Sequence, residues 1–189
     1  MGIGPEPAQM LRDLGLPPGF SACDLGDQMW HSGKRRDPNF WSRPARDLYR
    51  KMGAGERYES IDANGGGTIL ADLNLPLDPH PGQFDLVTDF GTSEHVFNFA
   101  QVWATIHTLC KPGGFIAFEK PYQGYPDHGF YNTHKTLWRD LAKANGYEIV
   151  ALTEIEAPRG RHWRGVFRKI GDAPFRNPQQ GKWVPRLKI

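Results

Sequence analysis

Residues 84–120 read as strand, helix and strand with the stops between them in place, and this unit constrains the architecture more than any other part of the chain. FDLVTDF is an apolar run of strand length. In HVFNFAQVWATIHTLC, Val96, Phe99, Trp103, Ile106 and Leu109 or Cys110 recur at three- and four-residue steps, which predicts one apolar helical face. Lys111-Pro112-Gly113-Gly114 ends it, and FIAFEK runs on as the next strand. Two strands joined through a helix lie parallel, because a crossover of about a dozen residues is what returns the chain to the same end of a sheet.

The flanking segments extend the same alternation. Residues 5–14 fit a short helix closed by Gly15 and the Pro17-Pro18-Gly19 break. FSACDL is a buried strand between Gly19 and Gly26, and HSGKRRDPNFW (31–41) has no clean period and is expected to be loop. Arg43–Met52 predicts a helix with Ser42 as N-cap, Pro44 in its first turn and Gly53 as the stop. RYESIDANGGG and TILADL are two more strands, THKTLWRDLAKANGYE is a helix capped by Asn145-Gly146, and EIVALTEIE with HWRGVFRKI closes the chain as a hairpin around APRG. The expected fold class is α/β: an open, mostly parallel sheet with helices on both faces and a β-hairpin at the end. A single domain over residues 1–170 is expected, with a helical lead-in at 1–19 and an irregular basic tail at 171–189 that holds Pro174, Pro178 and Pro185.

Apolar content of 39% with 12% aromatics suits a globular chain, and no apolar run reaches membrane-spanning length. The N-terminus has neither the basic region nor the apolar stretch of a signal peptide. Cys23 and Cys110 both sit in apolar surroundings, so buried thiols in a reducing compartment, the cytoplasm, are expected rather than a disulfide. The net charge of +2 conceals an asymmetry: residues 1–158 carry 14 Lys+Arg against 20 Asp+Glu, and residues 159–189 carry 9 against 1. A basic tail with Trp163, Phe167 and Trp183 suits a nucleic-acid partner in principle. The spacing of Trp163 and Phe167 fits equally one apolar face of a strand with solvated arginines between, and this second reading is preferred.

In an open α/β sheet the ligand crevice lies beyond the carboxyl ends of the strands. Each of the first four strands ends in an acid there: Asp24, Asp62, Asp72 and Asp89. Taken singly, each aspartate fits a cap or a turn as well as a ligand. Together they suit a nucleoside, since an acid after the second strand can accept both ribose hydroxyls and one near the third can accept from an adenine amino group.

Over about residues 20–170, the series ACDLG, YESIDAN, ILADLNLPL, FDLVTDFGTSEHV and LCKPGGFIAFEKP resembles the class I S-adenosylmethionine-dependent methyltransferases, and specifically a small-molecule branch in which Glu-His-Val opens the helix after strand four. The resemblance implies a Rossmann-like sheet of seven strands, the last of them antiparallel, with S-adenosyl-L-methionine as cofactor. It places Asp24 and Gly26, with Asp27 and Gln28 in the same turn, at the amino-acid end of the cofactor. Asp62 with Ala63 falls at the ribose, Asp72 with Leu73 at the adenine, and Asp89, Phe90 and Gly91 beneath the methionine. The implied partner is a small-molecule methyl acceptor, a sugar, glycan precursor or natural product, modified at oxygen.

The chain departs from the family at Gln28 and Trp30, where the second and third glycines of the cofactor loop would stand. A side-chain amide at Gln28 can replace a lost backbone contact, and the bulk of Trp30 implies that the next helix starts later, with 31–41 making room. His95 and His128 are the candidate general bases, each beside an acid, Glu94 or Asp127, able to orient the ring or raise its pKa. Contact with cofactor or backbone at His95, and a turn role at His128, are the plainer alternatives. Tyr125 and Tyr131 either shape the acceptor pocket or pack the loop. Asp127, His128 and His134 lack metal-ligand spacing, so no metal is expected, and FGTSEHV is no nucleophile elbow. A nicotinamide enzyme would need the full glycine fingerprint. The remaining alternative is a cofactor-binding relative without catalysis, which the missing glycines favour and the four retained acids oppose.

Overall fold

The computed structural model describes residues 2–33, 36–78, 80 and 82–180. Lys34 and Arg35 of the 31–41 stretch, and Trp183 and Pro185 of the basic tail, lie outside the described residues. The elements are β1 (Gly2–Ile3), α1 (Pro5–Arg12), β2 (Ala22–Leu25), β3 (Met29–His31), β4 (Ser42–Pro44), α2 (Ala45–Lys51), β5 (Tyr58–Asp62), β6 (Ile69–Leu70), β7 (Phe84–Phe90), a 3-10 turn (Ser93–His95), α3 (Phe99–Leu109), β8 (Cys110–Gln123), α4 (Lys135–Asn145), β9 (Tyr147–Ala157) and β10 (Gly160–Lys169). The main sheet has seven strands in the order β6-β5-β2-β7-β8-β10-β9. Every pair as far as β8 is parallel, and β10 runs antiparallel to both of its neighbours. This is the Rossmann-like sheet with an antiparallel C-terminal strand that the sequence implies.

Side-chain alternation along the strands divides the interior into two cores. Ala22, Leu86, Ala117 and Val166 face Leu11 of α1 and Leu48 of α2, whereas Cys23, Val87, Ile116 and Phe118 face Trp103 of α3 and Trp138 of α4. In the second core Phe118 meets Trp138 at 4.4 Å and Phe167 at 5.0 Å between ring centroids. Gly165 lies under that ring, since a Cβ there would fall 2.2 Å from it. Trp163 and Phe167 are buried while Arg161, two residues before Trp163, bridges outward to Glu154 and Glu156, so the aromatics of β10 belong to the core. Cys23 and Cys110 are free and buried, and burial pushes the Cys110 thiol up to about 12. No helix among the described residues is long and apolar enough to cross a membrane.

The structure corrects four local expectations. Residues 29–31 and 42–44 flank the expected loop as strands, joining β1 in a small sheet of order β1-β3-β4. Strands this short carry no readable period, and one register partner of residues 29–31 lies at the far N-terminus, where a Cβ on Gly2 would meet the Met29 carbonyl at 2.6 Å. For the same reason α2 starts at Ala45 and not Arg43: Ser42 is in β4, and Pro44 takes the cap position in extended backbone. The run expected as one helix from His95 is broken by extended Val96, and α3 begins at Phe99 under an Asn98 cap. Lys111–Gly114 does not separate α3 from its strand but forms an irregularity inside β8. Residues 171–176 are irregular and wrap the domain: His107 pairs with the Ala173 carbonyl at 2.8 Å, and the Arg176 amide donates to Asn145 at 2.8 Å.

Asp24, at the end of β2, ties α2 to the sheet. Its buried carboxylate accepts from the Tyr49 hydroxyl at 2.6 Å, the Tyr58 hydroxyl at 2.9 Å and the Thr88 hydroxyl. Burial raises the carboxyl from an ordinary 3.8 to about 6 against the downward pull of these donors. A carboxyl raised on folding contributes stability below its unfolded value and loses that contribution as pH climbs to the folded value. The hydroxyl donors serve the ionised form, so Tyr49→Phe should cost about 1–3 kcal/mol at pH 8 and distinctly less at pH 4.5, measured by urea denaturation. An equal loss at both pH values would show that Tyr49 acts through packing alone.

Candidate functional site

The sheet order steps outward from β2 in both directions, through β5 on one side and β7 on the other, so β2 is the switch point. Beyond the carboxyl ends lies a cleft of about 420 Å³. Asp62 and Ala63 reach it from β5, Asp72 and Leu73 from β6, and Thr92 and His95 from the turn after β7. Six residues connect the parallel strands β5 and β6 without a helix, in a turn where a Cβ on Gly67 would meet the Ser60 carbonyl at 2.6 Å.

The two acids of this cleft are held by backbone. Asp62 accepts from the Asp27 amide at 3.0 Å and the Asn64 amide at 2.6 Å, linking the turns after β2 and β5. Asp72 accepts from the Asn74 amide at 2.9 Å and its side-chain nitrogen at 2.8 Å, and these bonds hold its carboxyl below the ordinary range. Each carboxylate keeps acceptor capacity, having about four lone-pair sites. Asn74 in turn accepts from the Asn98 amide at 2.9 Å, joining the floor of the cleft to the start of α3.

The turn after β2 resolves the question of the missing glycines. Gly26 is required, with φ of 80°, its amide donating to the Ile61 carbonyl at 2.7 Å, and 2.6 Å between an added Cβ and Thr92 Oγ1. Gln28 is buried and turns inward: its Nε2 donates to the Leu25 carbonyl at 2.8 Å and to Thr92 Oγ1 at 3.3 Å. Its Nε2 therefore knots the turn to the segment after β7, while its Oε1 has no hydrogen-bond partner among the described residues. Trp30 lies in the other core against Trp41, because the chain here enters β3 instead of a helix. The Asp24 carboxylate is spent on the core, which leaves backbone and the exposed Asp27 side chain at that strand end for a ligand.

After β7 the arrangement is ionic. Lys120 of β8 bridges Asp89 and Glu94, the latter at 2.8 Å, and all three side chains are at most 2% exposed. Asp89 Oδ1 also accepts from the amides of Thr92 at 3.1 Å and Ser93 at 3.2 Å, while its Oδ2 has no hydrogen-bond partner among the described residues. Two carboxylates against one ammonium leave a buried surplus of one negative charge. Phe90 is buried in the α1/α2 core, and Gly91 turns the chain with φ of 90°.

His95 and His128, predicted separately, come together with ring centroids 4.9 Å apart. The acid that faces His128 is Glu94, with Oε1 3.9 Å from Nε2, rather than the adjacent Asp127. Asp127 contributes conformation instead: its φ of 56° turns the loop so that the Phe130 amide donates to the Glu94 carbonyl at 2.8 Å. The expected upward shift is reversed, since partial burial and the neighbouring His95 hold His128 below the ordinary imidazole value. Tyr125 packs on the His128 ring at 5.3 Å, and the Tyr131 hydroxyl donates to the Phe97 carbonyl at 2.7 Å.

A second hollow of about 200 Å³ lies on the other side of the Phe90–His95 segment, lined by Gly91, Glu94, Glu119, Tyr125, His128 and His162. Glu119 accepts from His162 Nδ1 at 2.8 Å and Arg164 Nε at 2.9 Å, which hold it below the usual carboxylate range despite burial. Sequence reading missed Glu119, Lys120 and His162. The first two end a fifth strand with charge, a signal that was available in FIAFEK, whereas His162 arrives only through the antiparallel register of β10 on β8.

No protein-family model and no curated protein sequence matches the chain. Solved structures do. The 1,6-didemethyltoxoflavin-N1-methyltransferase of Burkholderia thailandensis, with bound 1,6-didemethyltoxoflavin and S-adenosylhomocysteine, has a TM-score of 0.59 at 17% identity, covering 87% of this chain and 77% of that one. The N-methyltransferase NodS of Bradyrhizobium japonicum WM9, in complex with S-adenosylhomocysteine, has a TM-score of 0.59 at 13% identity, covering 87% and 86%. Magnesium protoporphyrin IX methyltransferase ChlM of Synechocystis PCC 6803, with bound S-adenosylhomocysteine, has a TM-score of 0.57 at 13% identity, covering 86% and 79%. At these identities the likeness is one of fold: a Rossmann-like methyltransferase sheet.

Removing one member of a buried ionic cluster strands the others. Lys120→Met, similar in volume, should therefore destabilise the protein by about 3–5 kcal/mol in thermal or urea unfolding. A loss under about 1 kcal/mol would show that the ammonium contributes no more than a surface pair.

Proposed function

We propose that the chain is a class I S-adenosylmethionine-dependent methyltransferase acting on a small molecule at oxygen. The observation that carries this reading is the pairing of two hollows across one segment: a nucleoside-sized cleft with acids at the ends of β5 and β6, and a smaller polar chamber behind Phe90–His95. The cleft volume of about 420 Å³ falls in the range of small-molecule sites, and its donor set suits an adenosine. Asp62 takes the ribose hydroxyls with the lone pairs its backbone bonds leave over. Asp72 accepts from the adenine amino group, and Leu73 with Ala63 provides the apolar bed. At the amino-acid end the backbone of Gly26, Asp27 and Gly91 is the binding surface, since the Gln28 Nε2 is already engaged.

Bound S-adenosylmethionine supplies an electrophilic methyl group on a sulfonium. The protein's part is alignment of the acceptor with that methyl, exclusion of water and handling of the acceptor's proton. Two imidazoles, His95 at the cleft and His128 at the chamber, stand where a hydroxyl proton has to leave. Small-molecule methyl acceptors of the structurally similar proteins, such as 1,6-didemethyltoxoflavin, agree with an acceptor of modest size, and two carboxylates with two histidines in the chamber favour a polar, hydroxylated one.

The inward-turned Gln28 favours a second reading, a cofactor-binding protein without catalysis, and one experiment bears on both. S-adenosylhomocysteine should bind by isothermal titration calorimetry and raise the melting temperature, with Asp62→Ala abolishing the shift and Asp62→Asn, which keeps one acceptor oxygen, retaining part of it. Absence of binding at millimolar ligand overturns both readings. Binding without transfer of a radiolabelled methyl group to any member of a panel of hydroxylated acceptors supports the non-catalytic one.

A further inference from the structure

We propose that Glu94, His95 and His128 form a binding site for a divalent transition-metal ion, placed at the seam between the nucleoside cleft and the polar chamber. One ligand atom from each residue lies within 4.8 Å of the other two, and His128 Nε2 stands 3.9 Å from Glu94 Oε1. Donors around a metal with bonds of about 2.1 Å sit about 3–3.5 Å apart, so a contraction of about an ångström completes the site. The His128 side chain, 32% exposed, can supply that movement by turning about its own torsions while the backbone stays in place.

The donor atoms have no other employment. Among the described residues neither imidazole makes a hydrogen bond, and Glu94 uses only Oε2, toward Lys120. That bond is the kind of outer contact that orients a metal-binding carboxylate. Backbone reinforces it: the Phe130 and Tyr131 amides donate to the Glu94 carbonyl at 2.8 and 3.3 Å, fastening the His128 loop to the 3-10 turn that carries Glu94 and His95. Charge gives an independent argument. Asp89, Glu94 and Lys120 bury one negative charge too many, and Asp89 Oδ2 is a buried acceptor without a hydrogen-bond partner. A cation beside Glu94 offsets that surplus, whereas burying it uncompensated is costly.

The ligand types select the ion. Two imidazole nitrogens and one carboxylate oxygen suit Zn²⁺, Fe²⁺ or Mn²⁺, and are a poor set for Mg²⁺ or Ca²⁺, which want oxygen. Three protein ligands leave coordination positions open. Glu94 and His128 both line the polar chamber, so the open positions face the acceptor. This role, though not the metal binding itself, rests on the methyltransferase reading. The metal would take the acceptor's oxygen, lower the pKa of its hydroxyl and orient it, and the proton would pass to solvent in place of the two imidazoles, whose nitrogens no longer accept it once bound to the ion; the acceptor is then a hydroxylated compound that binds through oxygen.

The test uses the full chain after chelator treatment and desalting. Calorimetric titration with ZnCl₂, and electron paramagnetic resonance with MnCl₂, should show one equivalent bound at micromolar affinity or tighter. His95→Ala and His128→Ala should each weaken binding at least about tenfold with the fold intact by circular dichroism, while His134→Ala, an exposed cap of α4, should leave it unchanged. Failure of both ions to bind at one equivalent, or binding indifferent to His95→Ala and His128→Ala, overturns the proposal. S-adenosylhomocysteine is titrated into the same metal-free protein. Its failure to bind while Zn²⁺ binds normally would sink the methyltransferase reading and leave the metal site standing, and the converse result would do the opposite.

Discussion

The ammonium of Lys120 is the point on which the functional end of the molecule is assembled. It comes from β8, grips Asp89 at the end of β7, and grips Glu94 in the turn that follows. Through Asp89 it fixes the amides of Thr92 and Ser93, and through Thr92 the knot reaches Leu25 and Gln28 at the end of β2. Three strand ends are thus locked by one cation that water cannot reach. Two buried carboxylates around one ammonium are worse than neutral for folding on their own.

Much of the architecture was legible because it depends on local rules. The periodicity of Phe99–Leu109, the αL glycine after Asn145 and the alternation of strand with helix all survive into the structure with small shifts in boundary. The acids at 62 and 72 were legible for the same reason: a strand end is a local event, and the topology does the rest. What was illegible depends on partners remote in sequence. The three-residue strand β3 takes Gly2–Ile3 as one partner and β4 has only β3, so neither is long enough to show a period and half of the small sheet's pairing lies far away in sequence. Glu119 and His162 meet only through the register of β10 on β8, and Glu94 meets His128 only because Asp127 adopts a left-handed backbone.

The glycine-poor turn follows the same logic. A nucleotide loop rich in glycine lets a helix begin directly after the first strand. Here the chain instead runs into β3, pairs with both ends of the small sheet, and buries Trp30 in the α1/α2 core. Gln28 then seals the turn from inside. The lost glycines and the added sheet are one change, and the single glycine that remains is the one whose φ and proximity to Thr92 admit no side chain.

The segment from Phe90 to His95 is a wall with a chamber on each side, and its two faces do not move independently. Thr92 and His95 belong to one face, Gly91 and Glu94 to the other, and the Lys120 cluster holds them together. Ligands filling both hollows would be coupled through it: whatever displacement of this wall one of them required, the other would also have to accommodate. Such coupling is reciprocal by thermodynamic necessity, so a ligand that tightens the wall for its neighbour is itself held more tightly by the same factor. Cooperativity between two different ligands then needs no second domain and no moving lid, only six residues of backbone shared between them.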